Sequence, residues 1–315
     1  MKALIYKTFG RPEVLEWVED WPYPELDPDS VLVEMVAGSI NPKDALLRKG
    51  MFSKTLARDA LPRASGMDGA GRIISVGENV SDFAVGDAVF AMTNHFAGGV
   101  HVEVAKFDQS ELQHAPKNIP LIEAASVPLA CLTALQALRD CCALKPSHKV
   151  LINGASGGVG HFAVQIAKAY GAEVHAVCGA SNIDFVTSLG ADRVYDYKVQ
   201  PATQIDAHFD AVFDVFGKQQ RSDFADQLLD GGIYVSTVPK FNTLWGEFLA
   251  RTGISKSNRL VQVESKAQDL LQLKEWIEQG VLIPHVEKYF PVNNYIDAHR
   301  HIESKHAIGK ICITF

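Results

Sequence analysis

The pattern of hydrophobic and polar positions changes character near residue 120. Before it, apolar residues come in short runs broken by turns: Val31-Leu32-Val33-Glu34-Met35-Val36, Gly71-Arg72-Ile73-Ile74-Ser75-Val76-Gly77 and Gly86-Asp87-Ala88-Val89-Phe90-Ala91. Runs of this length bounded by glycine read as strands, and strands without regular helices predict a β-rich unit, a partly closed barrel. Residues 122–138 follow as a helical segment bent at Pro128. From Lys149 the chain alternates. Strands are expected at 150–152, 173–177, 193–197, 209–216 and 232–238, and helices at 159–170, 183–189 and 222–229. In the first of these helices Val159, Phe162, Ala163, Ile166, Ala167 and Tyr170 keep helical spacing, and Gly171 ends it. Fully apolar strands alternating with helices predict a parallel sheet covered on both faces. Beyond about residue 260 come a helix at 265–279, a strand at 286–290, a helix at 294–304 and a strand at 310–315. The pattern leaves open whether these extend the parallel sheet or return to the first unit.

Composition narrows the picture. The 315 residues, 47% of them hydrophobic, exceed one ordinary domain and point to about two. Lys and Arg number 30 against 37 Asp and Glu, a net charge of -7, which argues against a dedicated nucleic-acid or anionic-membrane binder. The five cysteines, Cys131, Cys141, Cys142, Cys178 and Cys312, include no CxxC pair, and none precedes residue 131. That excludes a disulfide framework and a four-cysteine zinc knuckle, and leaves buried small apolar residues, with Cys178 alone placed for contact with a cofactor. The start lacks the apolar stretch of a signal peptide. The longest uncharged stretch, 150–167, carries Asn153, Ser156, His161, Gln165 and four glycines, so it is no membrane span. The expectation is a soluble, cytoplasmic protein acting on a small molecule.

The strand at 150–152 runs into Asn153-Gly154-Ala155-Ser156-Gly157-Gly158-Val159-Gly160 and then a helix. This is an AxGxxG form of the dinucleotide fingerprint. Ala155 permits the tight turn, Gly157 lets the backbone approach a pyrophosphate, Gly160 allows close packing, and the helix N-terminus supplies N–H groups and positive dipole. The plain alternative is a glycine-rich turn that binds nothing. The second strand ends Val177-Cys178-Gly179-Ala180-Ser181-Asn182, with no acid to hold a ribose 2′-hydroxyl. Ser181 and Asn182 can donate to a 2′-phosphate, which favours NADPH over NADH, although the turn carries no arginine or lysine. The same two residues also suit a helix N-cap.

With these segments in place, the chain resembles the medium-chain dehydrogenase/reductase superfamily, in particular its zinc-free quinone oxidoreductase-like branch. The resemblance spans nearly the whole chain. It runs through Gly10-Arg11-Pro12-Glu13-Val14-Leu15, Ser39-Ile40-Asn41-Pro42-Lys43-Asp44, Gly66-Met67-Asp68-Gly69-Ala70-Gly71, Val85-Gly86-Asp87-Ala88-Val89, Ala124-Ala125-Ser126-Val127-Pro128, Leu132-Thr133-Ala134, the glycine-rich turn, Leu189-Gly190-Ala191-Asp192 and Gly309-Lys310. It implies an α/β protein: a doubly wound Rossmann domain over 121–261, and a GroES-like β-rich catalytic domain over 1–120 completed by 262–315. It also implies a site in the cleft between them, and a homodimer. Zinc members carry cysteine and histidine where this chain has Asn41 and Met67, so neither a catalytic zinc nor a structural zinc lobe is expected. The nearby His95 and His101 are expected on the surface or in loops.

Carried over position by position, Asn41 and Asp44 would face nicotinamide or substrate, with Asp68 close behind. Thr133 would touch the nicotinamide end. Ala155, Ser156, Gly157, Gly158 and Val159 would hold the phosphates. Cys178, Gly179, Ser181, Asn182 and Tyr197 would line the adenosine phosphate side, Asn182 standing where some relatives have lysine. Val215, Phe216, Gly217 and Val238 would line the nicotinamide ribose and carboxamide. Where relatives carry tyrosines this chain has Leu46 and Phe52, so no proton donor is evident. Without a Lewis acid, hydride transfer needs an electron-poor acceptor such as a quinone or an α,β-unsaturated carbonyl. Asn41 would hydrogen-bond the acceptor oxygen. Asp44, ionised if unperturbed, would orient rather than act as an acid. An NADPH-binding protein with little turnover and a zinc-type alcohol dehydrogenase relative are the alternatives, separated by turnover and by metal analysis.

Overall fold

The computed structural model describes residues 1–52, 61–255 and 257–315. The chain divides into two compact units, each built around its own sheet.

The first unit takes Met1–Leu129, Glu264–Gly280 and Pro284–Phe315. Its main sheet runs in the order Val286–Pro291, Lys310–Thr314, Ser30–Ser39, Asp68–Val76, Ala88–Met92, Leu112–His114, and Val104–Asp108 also pairs with Ser30–Ser39. The long Ser30–Ser39 strand is buried on both faces, with Glu34 its one exposed position. Val31, Val33 and Met35 join Ile73, Val89, Phe107 and Leu112 in one core. Leu4, Tyr6, Ile40, Phe290, Ile311 and Ile313 form a second. Register decides where the polar groups meet. Ser39 lies opposite both Asp68 and Cys312, and Asp68 opposite Met92, so four strands meet at one end of the sheet. The elements beyond residue 263 therefore extend the first unit's sheet. Lys310–Thr314 is antiparallel to Ser30–Ser39 and parallel to Val286–Pro291.

The second unit takes Ala130–Val263 and Val281–Ile283. Its six strands are all parallel, in the order Arg193–Asp196, Glu173–Cys178, Lys149–Asn153, Phe209–Asp214, Leu228–Ser236, Asn258–Leu260. Counted along the chain this is 3-2-1-4-5-6, the doubly wound order whose ligand crevice opens beyond the carboxyl ends of strands one and four.

Three local expectations fail for identifiable reasons. The helix expected over 122–138 is two, Leu121–Ala124 and Pro128–Gln136, followed by a π-helical turn Ala137–Cys141; Pro128 lacks an N–H and starts a helix instead of bending one. The helix expected at 222–229 is only a 3₁₀ turn, Arg221–Phe224, because Leu228 is drawn into the ladder opposite Phe209. Helix Phe241–Arg251 and strand Asn258–Leu260 had no expected counterpart. Among the described residues no helix is long and apolar enough to cross a membrane.

Candidate functional site

In the first unit, strand Ser30–Ser39 passes into helix Pro42–Arg48 with Asn41 at the N-cap and Asp44 at its third position. Asp44 Oδ2 accepts the Asn41 backbone N–H at 2.8 Å, which holds the entry to the helix. The turn and cap roles of Asn41-Pro42 and Asp44 therefore coexist with membership of a buried polar cluster. Asn41 Nδ2 donates to Asp68 Oδ1 at 2.8 Å and reaches the Ser39 carbonyl and hydroxyl oxygens at 3.2 Å. Asn41 Oδ1 accepts from Lys310 Nζ at 2.5 Å. Asp68 also accepts the Ser39 hydroxyl at 2.6 Å and the Leu129 backbone N–H at 2.8 Å. Ser39, Asn41, Asp44, Asp68 and Lys310 are each at most 3% exposed.

This geometry corrects two expectations. Both amide hydrogens of Asn41 are committed inside the cluster, so its side chain has none left for an acceptor oxygen. Asp44 is far from unperturbed. Burial, helped by Asp68 and opposed by the Asn41 N–H and Lys310, lifts its carboxyl to about 7, and its Oδ1 has no hydrogen-bond partner among the described residues. Burial also raises the Asp68 carboxyl, against the pull of Lys310. Two carboxyls and one ammonium in a dry site are best balanced when one carboxyl keeps its proton. Because Asp44 is raised, its contribution to stability is fully present below about pH 4 and is lost as pH rises through about 7. The melting temperature of the wild type relative to Asp44→Asn should therefore fall across that window. A difference that stays flat with pH would overturn the assignment.

Lys310 is the member that the sequence reading missed. Its signal was a lone cation in the apolar run Ile308-Gly309-Lys310-Ile311-Cys312-Ile313. His101, expected in a loop or on the surface, lies in a loop but is fully buried. Its ring wedges against Gly38 and Gly66, its Nε2 lies 3.1 Å from the Ser39 carbonyl, and burial lowers its pKa to about 4, so it is neutral. His95 is exposed, as expected.

In the second unit the glycine-rich turn caps the tips of the central strands. Gly154 has φ +93°, and the N–H groups of Gly154 and Ala155 donate to the Val177 carbonyl at 3.1 and 3.0 Å. The two later glycines differ in kind. A Cβ on Gly160 would stand 2.1 Å from the Gly154 oxygen, so helix packing demands glycine there. A Cβ on Gly157 would meet only that same oxygen, at 3.5 Å, so nothing in the protein requires glycine at this position. That open cradle, ahead of helix Gly160–Ala169, fits a pyrophosphate.

Around the turn, Asn182 Nδ2 donates to Ser156 Oγ at 3.1 Å. Asn182 occupies the N-cap position of helix Ile183–Ser188 but makes no side-chain cap bond, so its amide belongs to the turn. Ser181 is exposed beside it. Tyr197, 51% exposed, packs its ring over Gly179. Cys178 is buried, and burial, aided by Asp196, raises its thiol to about 11. Asp196 had escaped notice because it reaches Cys178 only through the register of the neighbouring strand, where it accepts the Lys198 N–H at 3.1 Å. Val215 and Phe216 donate backbone N–H to the Asn153 carbonyl, and Phe216 and Val238 flank Gly217 as half-exposed apolar groups. Buried Asp214 clamps this crevice, accepting from Asn153 Nδ2, Gly217 N–H, Gln219 N–H and the Tyr234 hydroxyl at 2.9–3.2 Å. Thr133 lies buried on helix Pro128–Gln136. Among the described residues no three His, Cys, Asp or Glu side chains gather as a metal site would need.

Comparison with known proteins agrees with both halves. Residues 27–117 match the alcohol dehydrogenase GroES-like domain, and residues 189–313 match the family described as zinc-binding dehydrogenase. The chloroplast envelope quinone oxidoreductase homolog of Arabidopsis thaliana is 34% identical over 99% of this chain and 98% of its own. The chloroplastic NADPH-dependent alkenal/one oxidoreductase of the same plant is 32% identical over 99% of this chain and 79% of its own. Among solved structures, the quinone oxidoreductase from Coxiella burnetii superimposes with a TM-score of 0.90 at 29% identity, covering 100% and 99% of the two chains. The Escherichia coli quinone oxidoreductase complexed with NADPH gives 0.83 at 25% identity, covering 100% of both.

Proposed function

The chain belongs to the quinone oxidoreductase-like branch of the medium-chain dehydrogenase/reductase superfamily, and on that premise we propose that it is an NADPH-dependent reductase of quinones and α,β-unsaturated carbonyls that works without zinc. The observation that carries this reading is the Gly157 cradle at the switch point of a 3-2-1-4-5-6 sheet, open where the protein itself needs no opening.

The turn 155–159 and the helix behind it hold the pyrophosphate. Ser156, Ser181, Asn182 and Tyr197 take the adenosine phosphate side, and Val215, Phe216, Val238 and Thr133 the nicotinamide end. NADPH is preferred over NADH because Gly179-Ala180-Ser181-Asn182 brings no acid to the tip of its strand. Bound NADPH supplies the hydride. In the first unit, Lys310 offers a cation to the negative charge that develops on the acceptor oxygen, and Asp44, holding its proton near neutral pH, is the proton donor. Asn41 and Asp68 are positioning residues that fix Lys310 and the helix carrying Asp44.

Zinc independence rests on the donor set. Asn41 has spent its amide, and Met67 is a buried thioether where a ligand histidine would stand. Dialysis against a chelator should leave the rate unchanged, with substoichiometric zinc by elemental analysis; loss of activity restored by zinc would overturn this. A homodimer fits the apolar face of helix Phe241–Arg251, where Phe241, Trp245 and Phe248 are 87%, 55% and 54% exposed at i, i+4 and i+7. Light scattering tests it. The function itself is tested by mixing the purified protein with NADPH or NADH and a panel of quinones, enals and enones. The expected result is loss of nicotinamide absorbance, faster with NADPH. Tight NADPH binding without oxidation across the panel would replace the reductase by a binding protein.

A further inference from the structure

A second group of side chains stands beside the polar cluster, coupled to it through the charge of Lys43 on Asp44. Lys43, the residue before Asp44, lies on helix Pro42–Arg48 with its Nζ 4.6 Å from the centroid of the Phe96 ring. Phe52 meets the same ring edge to face, with centroids 5.3 Å apart and planes at 88°. Phe96 follows shortly after Met92, whose backbone lies opposite Asp68, so the aromatic pair is rooted at the end of the sheet that carries the cluster. Phe96 is 42% and Met51 64% exposed.

The ammonium is the unusual member. Lys43 is half-buried, and burial lowers its pKa, opposed among the described residues by the charge of Asp44. Among the described residues no carboxylate forms an ion pair with it, and its partner is the face of a ring. A cation–π contact offsets part of the desolvation of a lysine, but an anion brought to the same place offsets more. The paired phenylalanines, set edge to face, supply an apolar corner next to that charge, against which a planar ring can pack.

Resting on the reductase reading above, we infer that Lys43, Phe96 and Phe52 form a specificity site for planar, electron-poor acceptors that carry a negative charge, such as ring-conjugated enals or quinones bearing a carboxylate. Lys43 recognises the charge in the ground state, and the ring slots against Phe96 and Phe52. Charge stabilisation and proton donation to the acceptor stay with the cluster.

The test compares 4-carboxycinnamaldehyde with cinnamaldehyde, whose charge difference lies far from the reacting carbon. In the wild type kcat/KM favours the carboxylate. In Lys43→Met the ratio of the two kcat/KM values falls about ten-fold, carried by KM. Lys43→Arg restores the ratio, and Phe96→Leu raises KM for both aldehydes alike. A Lys43→Met variant that loses kcat equally on both aldehydes, leaving the ratio unchanged, would overturn the inference, because it would place Lys43 on the developing oxyanion. Calorimetric titration of 4-carboxycinnamaldehyde into protein saturated with NADP⁺ separates this from the parent reading. Binding that depends on Lys43 without any turnover keeps the site and removes the reductase. Turnover without charge preference keeps the reductase and removes the site. Neither binding nor turnover removes both.

Discussion

Replacing Lys310 with methionine should lower stability at neutral pH by about 3–5 kcal/mol, the range for stripping one partner from a buried charge group, and cut kcat/KM on quinones about 100-fold. Lys310 is 3% exposed and donates to Asn41 Oδ1; its charge is the largest pull on the Asp68 carboxyl against burial, and it adds to the larger pull of the Asn41 N–H on Asp44. Methionine keeps the volume of the stem and removes the ammonium. The Asn41 oxygen is then buried without a donor, and the two carboxyls rise further. The sign of the pH dependence follows. In the unfolded chain both carboxyls ionise above about pH 4, whereas in the folded variant they keep their protons to higher pH than in the wild type. The deficit of the variant should therefore be smaller at about pH 5 than at about pH 8 in urea denaturation. A deficit under about 1 kcal/mol, or one independent of pH, would mean that the carboxyls do not feel this lysine. Loss of stability without loss of kcat in the folded fraction would leave Lys310 a structural residue only.

The parts of this protein that were legible in its sequence are those that depend on neighbours along the chain. The parallel sheet was readable because Val150-Leu151-Ile152 and the helix beginning near Val159 carry their period locally, and Gly157 and Gly160 sit between them. Residue identity alone also made Asn41 and Met67 poor zinc ligands. What depends on contacts across tens or hundreds of residues was not legible. Lys310 joins Asn41 from 269 positions away, Asp68 reaches Leu129 across 61, and Asp214 reaches back to Asn153 across 61. Nothing near Asp44 in sequence announces a carboxyl near 7, since burial by other elements sets that value. The burial of His101 in its loop was hidden for the same reason: glycines at 38 and 66, remote in sequence, make the room its ring fills. Helix 222–229 failed in the opposite direction, its local helical spacing losing to a ladder with Phe209.

The two glycines of the turn should separate binding from folding. Gly157→Val should leave the melting temperature within about 2 °C of the wild type while weakening NADPH binding at least 100-fold; Gly160→Ala should lower stability by about 2–4 kcal/mol. At position 157 the added Cβ meets only the Gly154 oxygen, at 3.5 Å, an ordinary contact, and the larger valine extends into the cradle where a pyrophosphate would lie. At position 160 the Cβ falls 2.1 Å from the Gly154 oxygen and 2.7 Å from the Ala155 Cα, both backbone atoms of a turn whose N–H groups are tied to Val177. That backbone can yield only by moving the turn off the strand. Gly160→Ala should therefore lose affinity as a consequence of lost structure, with both effects reversed together by cooling or osmolyte. Gly157→Val should keep its fold under all these conditions and still not bind. Titration of NADPH fluorescence alongside thermal melts reads both. If Gly157→Val binds NADPH like the wild type, the open space above residue 157 is not the pyrophosphate site and the cofactor assignment falls with it.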